Sequence, residues 1–403
     1  MIERDHFGLE AERRIEKSGI RNIFTPHQPI QQTKLFFGRA KEVRAIIGYL
    51  NTPGQHALLF GNRGVGKSSL ANIIADSLVD LRPGTRVIKK RCDSSDTFVT
   101  VVGSVLHYVG VNIQNTTVTE VQKSGLTRVI DLSQTKTKSS GGDAERALSP
   151  SWVAEKLSGL NGIFVVDELD ALRSKSDKER IAELIKQLSD NGAALKLLVV
   201  GIAETPSELT AGHPSVSRCL KEVRLGNMED SEIQAIIING AERARIQFKP
   251  TVVSRIVNLS SGYPHFTHLM ALKCGEIVVA EERKEVINKD LVSALENCTN
   301  DIEGSLRHAY HSAVRSKSEE YKRILLAMAL CGGDEIRAHE IRVRYKELFE
   351  KEISQGTLNN YFQRLVGSDG GTIVRRLAKG IYRFNDPRMP SYIRIAQCHV
   401  REI

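Results

Sequence analysis

Apolar positions change period along this chain, and the changes mark out its elements. From Gly19 to Gln32 the segment carries two prolines and no sustained period, which predicts an extended arm. An amphipathic helix is expected in FFGRAKEVRAIIGYL. HALLFGNRGVGKSSLANIIADSL then reads as a short apolar strand, a glycine-rich turn and a second helix. RVIKKRCD reads as a strand, with a helix from about Phe98 to Tyr108 after it. Beyond a polar stretch come a helix near Ser151 to Leu157, the strand GIFVVDELD, a helix from about Lys178 to Asn191 and the strand LKLLVVGIA. Apolar strands that alternate with helices are what a parallel sheet covered on both faces requires, so a doubly wound α/β domain is expected to end near Leu225.

After Leu225 the strand signals stop. MEDSEIQAIIINGAERARI, PTVVSRIVNL, PHFTHLMALKCGEIVVAEER and KDLVSALENC read as four consecutive helices, and Asp301 to Ser316 as a helical connector. From Lys317 the pattern becomes three helices and two strands around Lys379-Gly380, the order of a winged helix. The expected organisation is an arm (1–32), an α/β core (33–226) with a polar insertion at 112–150, a helical lid (227–300), a linker helix (301–316) and a winged-helix domain (317–403). The insertion is rich in Ser, Thr, Gln, Lys and Gly, and no chemistry is placed there.

Composition changes this picture little. With 41% hydrophobic and 26% charged residues the chain is neither disordered nor fibrous, and 403 residues suffice for two or three cores. The six cysteines are scattered without a C-x-x-C pair, which points to buried thiols in a reducing compartment and not to zinc or disulfides. The charged amino terminus lacks the apolar core of a signal peptide, and no apolar run is long enough to span a bilayer, so a cytoplasmic protein without membrane contact is expected. A net charge of +9 favours polyanionic partners, although solubility alone would also account for it.

The candidate chemistry lies in two places. Gly61-Asn62-Arg63-Gly64-Val65-Gly66-Lys67-Ser68, followed by Ser69, fits G-x-x-x-x-G-K-[ST] between a strand and a helix, the context that motif needs. Its glycines let backbone N–H groups close around phosphate oxygens. Lys67 would neutralise the terminal phosphates, and Ser68 would offer a hydroxyl to Mg²⁺. GIFVVDE ends an apolar strand in two carboxylates: Asp167 is the second candidate for Mg²⁺, and Glu168 the candidate general base. Together these Walker A and Walker B motifs make a P-loop NTPase that uses Mg²⁺.

The arrangement resembles AAA+ ATPases, in the branch shared by initiator-type (origin-recognition-like) ATPases and STAND signalling NTPases, over about Phe24 to Arg394. Phe37-Gly38-Arg39 with Glu42 is similar to the F-x-G-R box that the branch places near the nucleotide base. His213-Pro214-Ser215-Val216-Ser217-Arg218 puts Arg218 where the family carries an arginine finger; a surface arginine pairing with a carboxylate is the other reading. Gly262-Tyr263-Pro264 is similar to the G-x-P motif with which STAND lids touch the nucleotide, and it is also a simple helix start with Pro264 at the first position. The resemblance implies an AAA+ core with helical lid and winged helix, ATP seated between core and lid, and assembly into a homo-oligomer if Arg218 acts in a neighbouring subunit. Two departures imply slow hydrolysis. The fourth strand ends Gly201-Ile202-Ala203-Glu204-Thr205 without the usual polar sensor, and His265 stands where many relatives carry a sensor arginine. His265 and His268 read as packed or solvent-facing side chains.

The partner is read from the last domain. Residues 317–403 hold 16 basic and 11 acidic side chains, +5 of the whole chain's +9. The helix SQGTLNNYFQRLV presents hydroxyl and amide groups that suit base edges, while Arg375, Arg376, Lys379 and Arg383 suit phosphates. An ATP-driven switch on double-stranded DNA is therefore expected. The alternatives are a STAND-like signalling or defence ATPase with a protein partner, and a nucleotide-binding scaffold with little hydrolysis.

Overall fold

Strands of uninterrupted apolar residues end up at the centre of a parallel sheet, because only there are both faces covered. In the computed structural model, which describes residues 8–111, 148–211, 216–315, 318–367 and 373–397, these are β1 (His56–Gly61), β3 (Gly162–Asp167) and β4 (Lys196–Ile202). They are flanked by β2 (Arg86–Arg91) and β5 (Leu220–Arg224) in the order β2-β3-β4-β1-β5, every pair parallel. β5 was not expected. Its sequence LKEVR is buried only at Leu220, with Lys221 and Val223 half-buried and Glu222 and Arg224 exposed, and so lacks the apolar run that announces the central strands. The expected insertion lies outside the described residues except for 148–150, as do His213, Pro214, Ser215 and Cys398.

The helices of this unit, which comprises Ile30–Asn62 and Lys67–Gly226, follow from local signals. They are α3 (Ala40–Asn51), α4 (Lys67–Leu81), α5 (Phe98–Leu106), α6 (Pro150–Leu157), α7 (Lys175–Asp190) and the short α8 (Ser207–Thr210). Thr97 and Thr100 form a reciprocal capping box at α5, Ser149 caps α6 with Pro150 at its first position, and Ser174 caps α7. Leu58, Phe60, Phe164 and Val166 on one face of the sheet share a core with α5, α6 and α7. The opposite face, with Leu59, meets α3 and α4.

The second unit comprises Met1–Pro29, Arg63–Gly66 and Asn227–Ile403. Its first part corrects the extended-arm expectation. The chain forms α1 (Leu9–Ser18) and α2 (Ile20–Ile23) and becomes irregular only from Phe24. Four helices follow later as expected: α9 (Asp230–Ala244), α10 (Pro250–Ser260), α11 (Pro264–Ala280) and α12 (Asn288–Asp301). They supply the missing partner for the amino-terminal segment. Phe24 is buried over Gly240, where a Cβ would lie 2.5 Å from its ring, and Ile20 over Gly275, where a Cβ would lie 2.1 Å from its methyl. A two-residue parallel pairing, β6 (Gln247–Phe248) with β7 (Glu285–Val286), also escaped the sequence.

The connector helix α13 (Gly304–Val314) leads to α14 (Glu320–Ala329), β8 (Ile336–Arg337), α15 (Ala338–Phe349), α16 (Gln355–Val366), β9 (Val374–Ala378) and β10 (Ile381–Phe384). The strands form an antiparallel sheet in the order β8-β10-β9. Three helices and a hairpin therefore appear in the expected order, with β8 added. A last helix, α17 (Met389–Gln397), carries Arg394, which donates to Ala329 O, Asn258 O and Ser261 Oγ and so ties the C-terminal module to α10.

Two buried histidines give stability a pH dependence. His56 accepts a hydrogen bond at Nδ1 from Leu197 N–H, and His268 accepts one from Thr25 N–H. Burial pulls the first down to about 3, helped by the Lys196 charge, and the second down to about 4. Each is neutral when folded, whereas the unfolded chain takes up its protons near the ordinary pKa of roughly 6.5. Their stabilising contribution is complete above that value and is lost as pH falls toward the folded values, by up to roughly 1.4 kcal/mol per pH unit each. The thermal midpoint should fall steadily from pH 7 to 5, and His56→Asn or His268→Asn should flatten that slope. An unchanged slope in both variants would contradict this account.

Candidate nucleotide site

Geometry at the end of β1 demands glycine. A Cβ on Gly61 (φ +146°) would lie 2.3 Å from Leu225 O, so β5 and the strand end close on each other only without a side chain. Gly64 and Gly66 also take positive φ, +82° and +96°, as the chain turns into α4. Lys67 at the start of α4 is buried, and its Nζ donates to Gly61 O at 3.0 Å and Asn62 O at 2.7 Å. The ammonium group is thus folded onto its own loop at the amino-terminal end of a 15-residue helix, where backbone N–H groups and the helix dipole favour an anion.

The β3 carboxylates lie at the same carboxyl edge of the sheet. Burial pushes the Asp167 carboxyl above the usual range, against hydrogen bonds from the Ser68 hydroxyl and the Glu168 amide. Asp167 and Ser68, the two candidate metal ligands, are therefore brought together. Glu168 is left-handed at φ +56°, a conformation uncommon for a non-glycine residue and concentrated at functional sites. Its carboxylate meets the Arg91 guanidinium at 2.6 Å. Among the described residues no group of three or more His, Cys, Asp or Glu could hold a metal ion.

Arg91 was missed by the sequence reading. Register explains its role, since β2 pairs with β3 so that Arg91 lies opposite Asp167. A charge at a strand end has no local signature that distinguishes it from an ordinary solvated terminus.

Within the second unit, the loop tip 63–66 has neighbours that sequence separation hides. Gly66 lies 3.6 Å, measured from a Cβ position, from Pro264, so this candidate does come to the loop. The Tyr263 hydroxyl donates to Pro387 O. Arg63 pairs with Glu303 at 3.3 Å, and Glu303 with Arg388 at 2.8 Å. The buried Arg388 side chain is 3.1 Å from a Cβ position on Gly64, and Asp386 holds its guanidinium at 2.7 Å. Burial works against the Arg388 charge, but Asp386 and Glu303 more than offset it and raise its pKa.

The remaining candidates are spread out. Ser69 Oγ accepts from Ile30 N–H at 3.0 Å. Gly38 (φ +78°) and Arg39 (φ +59°) precede α3, and the buried Arg39 guanidinium is directed to Gly226 O at 2.6 Å and Glu42 at 3.3 Å, where it anchors the chain after β5. Arg218 is exposed and paired with Asp190. At the end of β4, Ile202 N–H donates to Asp170 Oδ1, while Thr205 is engaged with Glu208. His265 Nδ1 lies 2.8 Å from Pro26 O, and His268 bonds Thr25, so both histidines hold the amino-terminal segment as packed side chains.

Comparison with known proteins supplies a family. The model of the family described as Novel STAND NTPase 1 matches residues 26–373, which include both candidate motifs. No curated protein matches the chain. Among solved structures the chain is similar to the ORC2 protein of Aeropyrum pernix in its ADPNP-ADP complexes, at 14% identity over 94% of this chain and 97% of that one, with a TM-score of 0.51. It is also similar to the ORC1 protein of Aeropyrum pernix in complex with DNA (19% identity, 95% and 98% coverage, TM-score 0.49). A third is the Holliday junction branch migration motor RuvB of Thermotoga maritima (16%, 88% and 95%, 0.44). The ORC2 likeness shows the fold, a parallel α/β P-loop NTPase sheet as expected. Since the family model spans well over half of the residues, the chain belongs to the Novel STAND NTPase 1 family.

Proposed function

We propose that this protein is an ATP-dependent molecular switch that hydrolyses ATP slowly, assembles into homo-oligomers in the cytoplasm and engages double-stranded DNA through a winged helix. The observation that carries the reading is the convergence of Lys67, Ser68, Asp167 and Glu168 at the carboxyl edge of one parallel sheet, where ligands of open α/β folds bind. Lys67 would exchange its loop carbonyls for phosphate oxygens, with the loop amides and Ser69 beside it. Magnesium fits the donor set, since a hydroxyl and a buried carboxylate with a raised pKa offer hard oxygens that a cation would stabilise. That ion would neutralise charge on the phosphates, and Glu168 would accept the proton of the attacking water.

Slow turnover is supported by the Arg91–Glu168 pair, which draws the proposed base toward a cation. The pair is exposed, so it holds the carboxylate by at most roughly 1 kcal/mol. Arg91→Gln should therefore raise phosphate release by no more than about fivefold. A fall would mean that Arg91 positions Glu168 for catalysis. Arg218 is proposed to act on a neighbouring subunit. Leaving Asp190 would cost little, because that pair is exposed too.

DNA contact rests on the C-terminal module. Gln355, Thr357, Asn359 and Asn360 are exposed on α16, and Arg375, Arg376 and Lys379 are exposed around the hairpin. Arg383 is half-buried and pairs with Glu335. Labelled duplex titrated with ATP across a salt series tests this. Binding should weaken steeply with salt, and changing Arg375, Arg376 and Lys379 to Gln should lower the log–log slope by about 0.9 for each phosphate no longer neutralised. Absence of binding at low salt would favour the second reading, a STAND-like signalling ATPase with a protein partner. That reading draws on Arg388 and Arg394, which tie the module to Glu303 and to the end of α10 in the same chain.

A further inference from the structure

In the α/β unit, an open cavity of about 470 Å³ lies between the start of α7 and α8, lined by Arg173, Lys175, Lys178, Ser207, Glu208 and Ala211. It follows β3 and β4 at the carboxyl edge of the sheet, and the chemistry described above uses none of its residues. We infer that this cavity is a phosphate-binding site for the backbone of a nucleic acid.

Two of the cations that line it have no partner among the described residues. Neither the Arg173 nor the Lys178 side chain has a hydrogen-bond or ion-pair partner among the described residues, and Lys175 reaches only the exposed Glu179 at 3.7 Å. Arg180 nearby is used differently, with its guanidinium over the Phe98 ring and bonded to Leu148 O. The lysines also occupy poor positions for stability. Lys175 and Lys178 are three apart in the first turn of α7, where like charges repel and where the helix dipole disfavours cations. Among the described residues no partner of Lys178 offsets this, and a local rule broken in that way points to a functional position.

The lining selects the ligand. The one carboxylate in it, Glu208, is occupied by Thr205, accepting from its N–H and its hydroxyl at 2.9 Å each. The Ser207 hydroxyl, 3.0 Å from the Thr205 hydroxyl, adds a polar group. None of the lining residues is an aromatic that could stack a base, and the concavity is open, so it suits the outside of a strand and not a nucleoside. Long cations around a shallow polar cavity grip phosphates without reading sequence. This site shares a nucleic-acid partner with the function proposed above, but it uses a different surface.

The full-length chain is compared in four forms: wild type, a cavity variant (Arg173→Gln, Lys175→Gln, Lys178→Gln), a hairpin variant (Arg375→Gln, Arg376→Gln, Lys379→Gln) and the two combined. Each is titrated with labelled duplex DNA at several salt concentrations, with labelled ATP and thermal unfolding as controls. The cavity changes should weaken DNA binding at low salt at least tenfold and lower the log–log slope by about 2 to 3. ATP affinity should be unchanged and the unfolding temperature equal or higher. DNA binding that remains in the hairpin variant should disappear in the combined one.

If the cavity variant binds DNA like the wild type while the hairpin variant does not, this inference fails and the winged-helix reading stands. The reverse result sinks the winged-helix reading alone. Wild type that binds ATP but no DNA at the lowest salt overturns the inference, and so does a lowered unfolding temperature in the cavity variant, because the cations would then be structural.

Discussion

Glu168→Gln is expected to leave ATP bound and to reduce phosphate release by roughly 10²- to 10⁴-fold, the usual contribution of a positioned general base. The substitution keeps the shape of the side chain and its ability to accept a hydrogen bond from Arg91, but it removes the basicity needed to take a proton from water. The Glu168 side chain is engaged by Arg91, and its tie to Asp167 runs through the backbone N–H, which the substitution keeps, so nucleotide affinity should change less than about tenfold. Single-turnover release of phosphate measured beside equilibrium binding of labelled ATP separates the two quantities. A wild type without any release that this change abolishes, under conditions that permit assembly, would leave a nucleotide-binding scaffold as the better account.

Lys67→Ala is expected to act earlier, on binding itself. The ammonium group is buried inside the phosphate-loop turn, and a buried charge facing phosphate is worth far more than an exposed one. Loss of ATP affinity by roughly 100-fold or more, corresponding to about 3 kcal/mol or more, should follow, with hydrolysis at background. The variant also leaves Gly61 O and Asn62 O without their donor, so its unfolding temperature must be measured alongside. A stable variant that binds ATP as the wild type does would refute the site. The two substitutions make different predictions: one should trap nucleotide and the other should exclude it.

Much of this site was legible because its signals are local. A glycine-rich turn between an apolar strand and a helix, and an apolar strand ending in Asp167-Glu168, each carry their structural context with them. The three central strands were legible for the same reason, since burial on both faces forces an apolar run. β5 was not, because at the sheet edge only Leu220 of LKEVR is buried and the segment looks like surface. α1 and α2 were missed because their burial depends on Gly240 and Gly275, more than two hundred residues away, which make room for Phe24 and Ile20.

What the sequence by itself determined is the set of candidates: the residues proposed to hold phosphate, the oxygens proposed for a divalent cation, and the carboxylate proposed as base. These follow from residue type and short spacing. The tertiary structure decided which charges are committed and which are not. Strand register sets Arg91 beside Glu168, and chain folding brings Glu303 and Arg388 to the tip of the phosphate loop. Arg39 is drawn onto Gly226, while Arg173 and Lys178 find no partner among the described residues. Electrostatic partnership depends on distance in space and not along the chain, and for these residues only folding sets that distance.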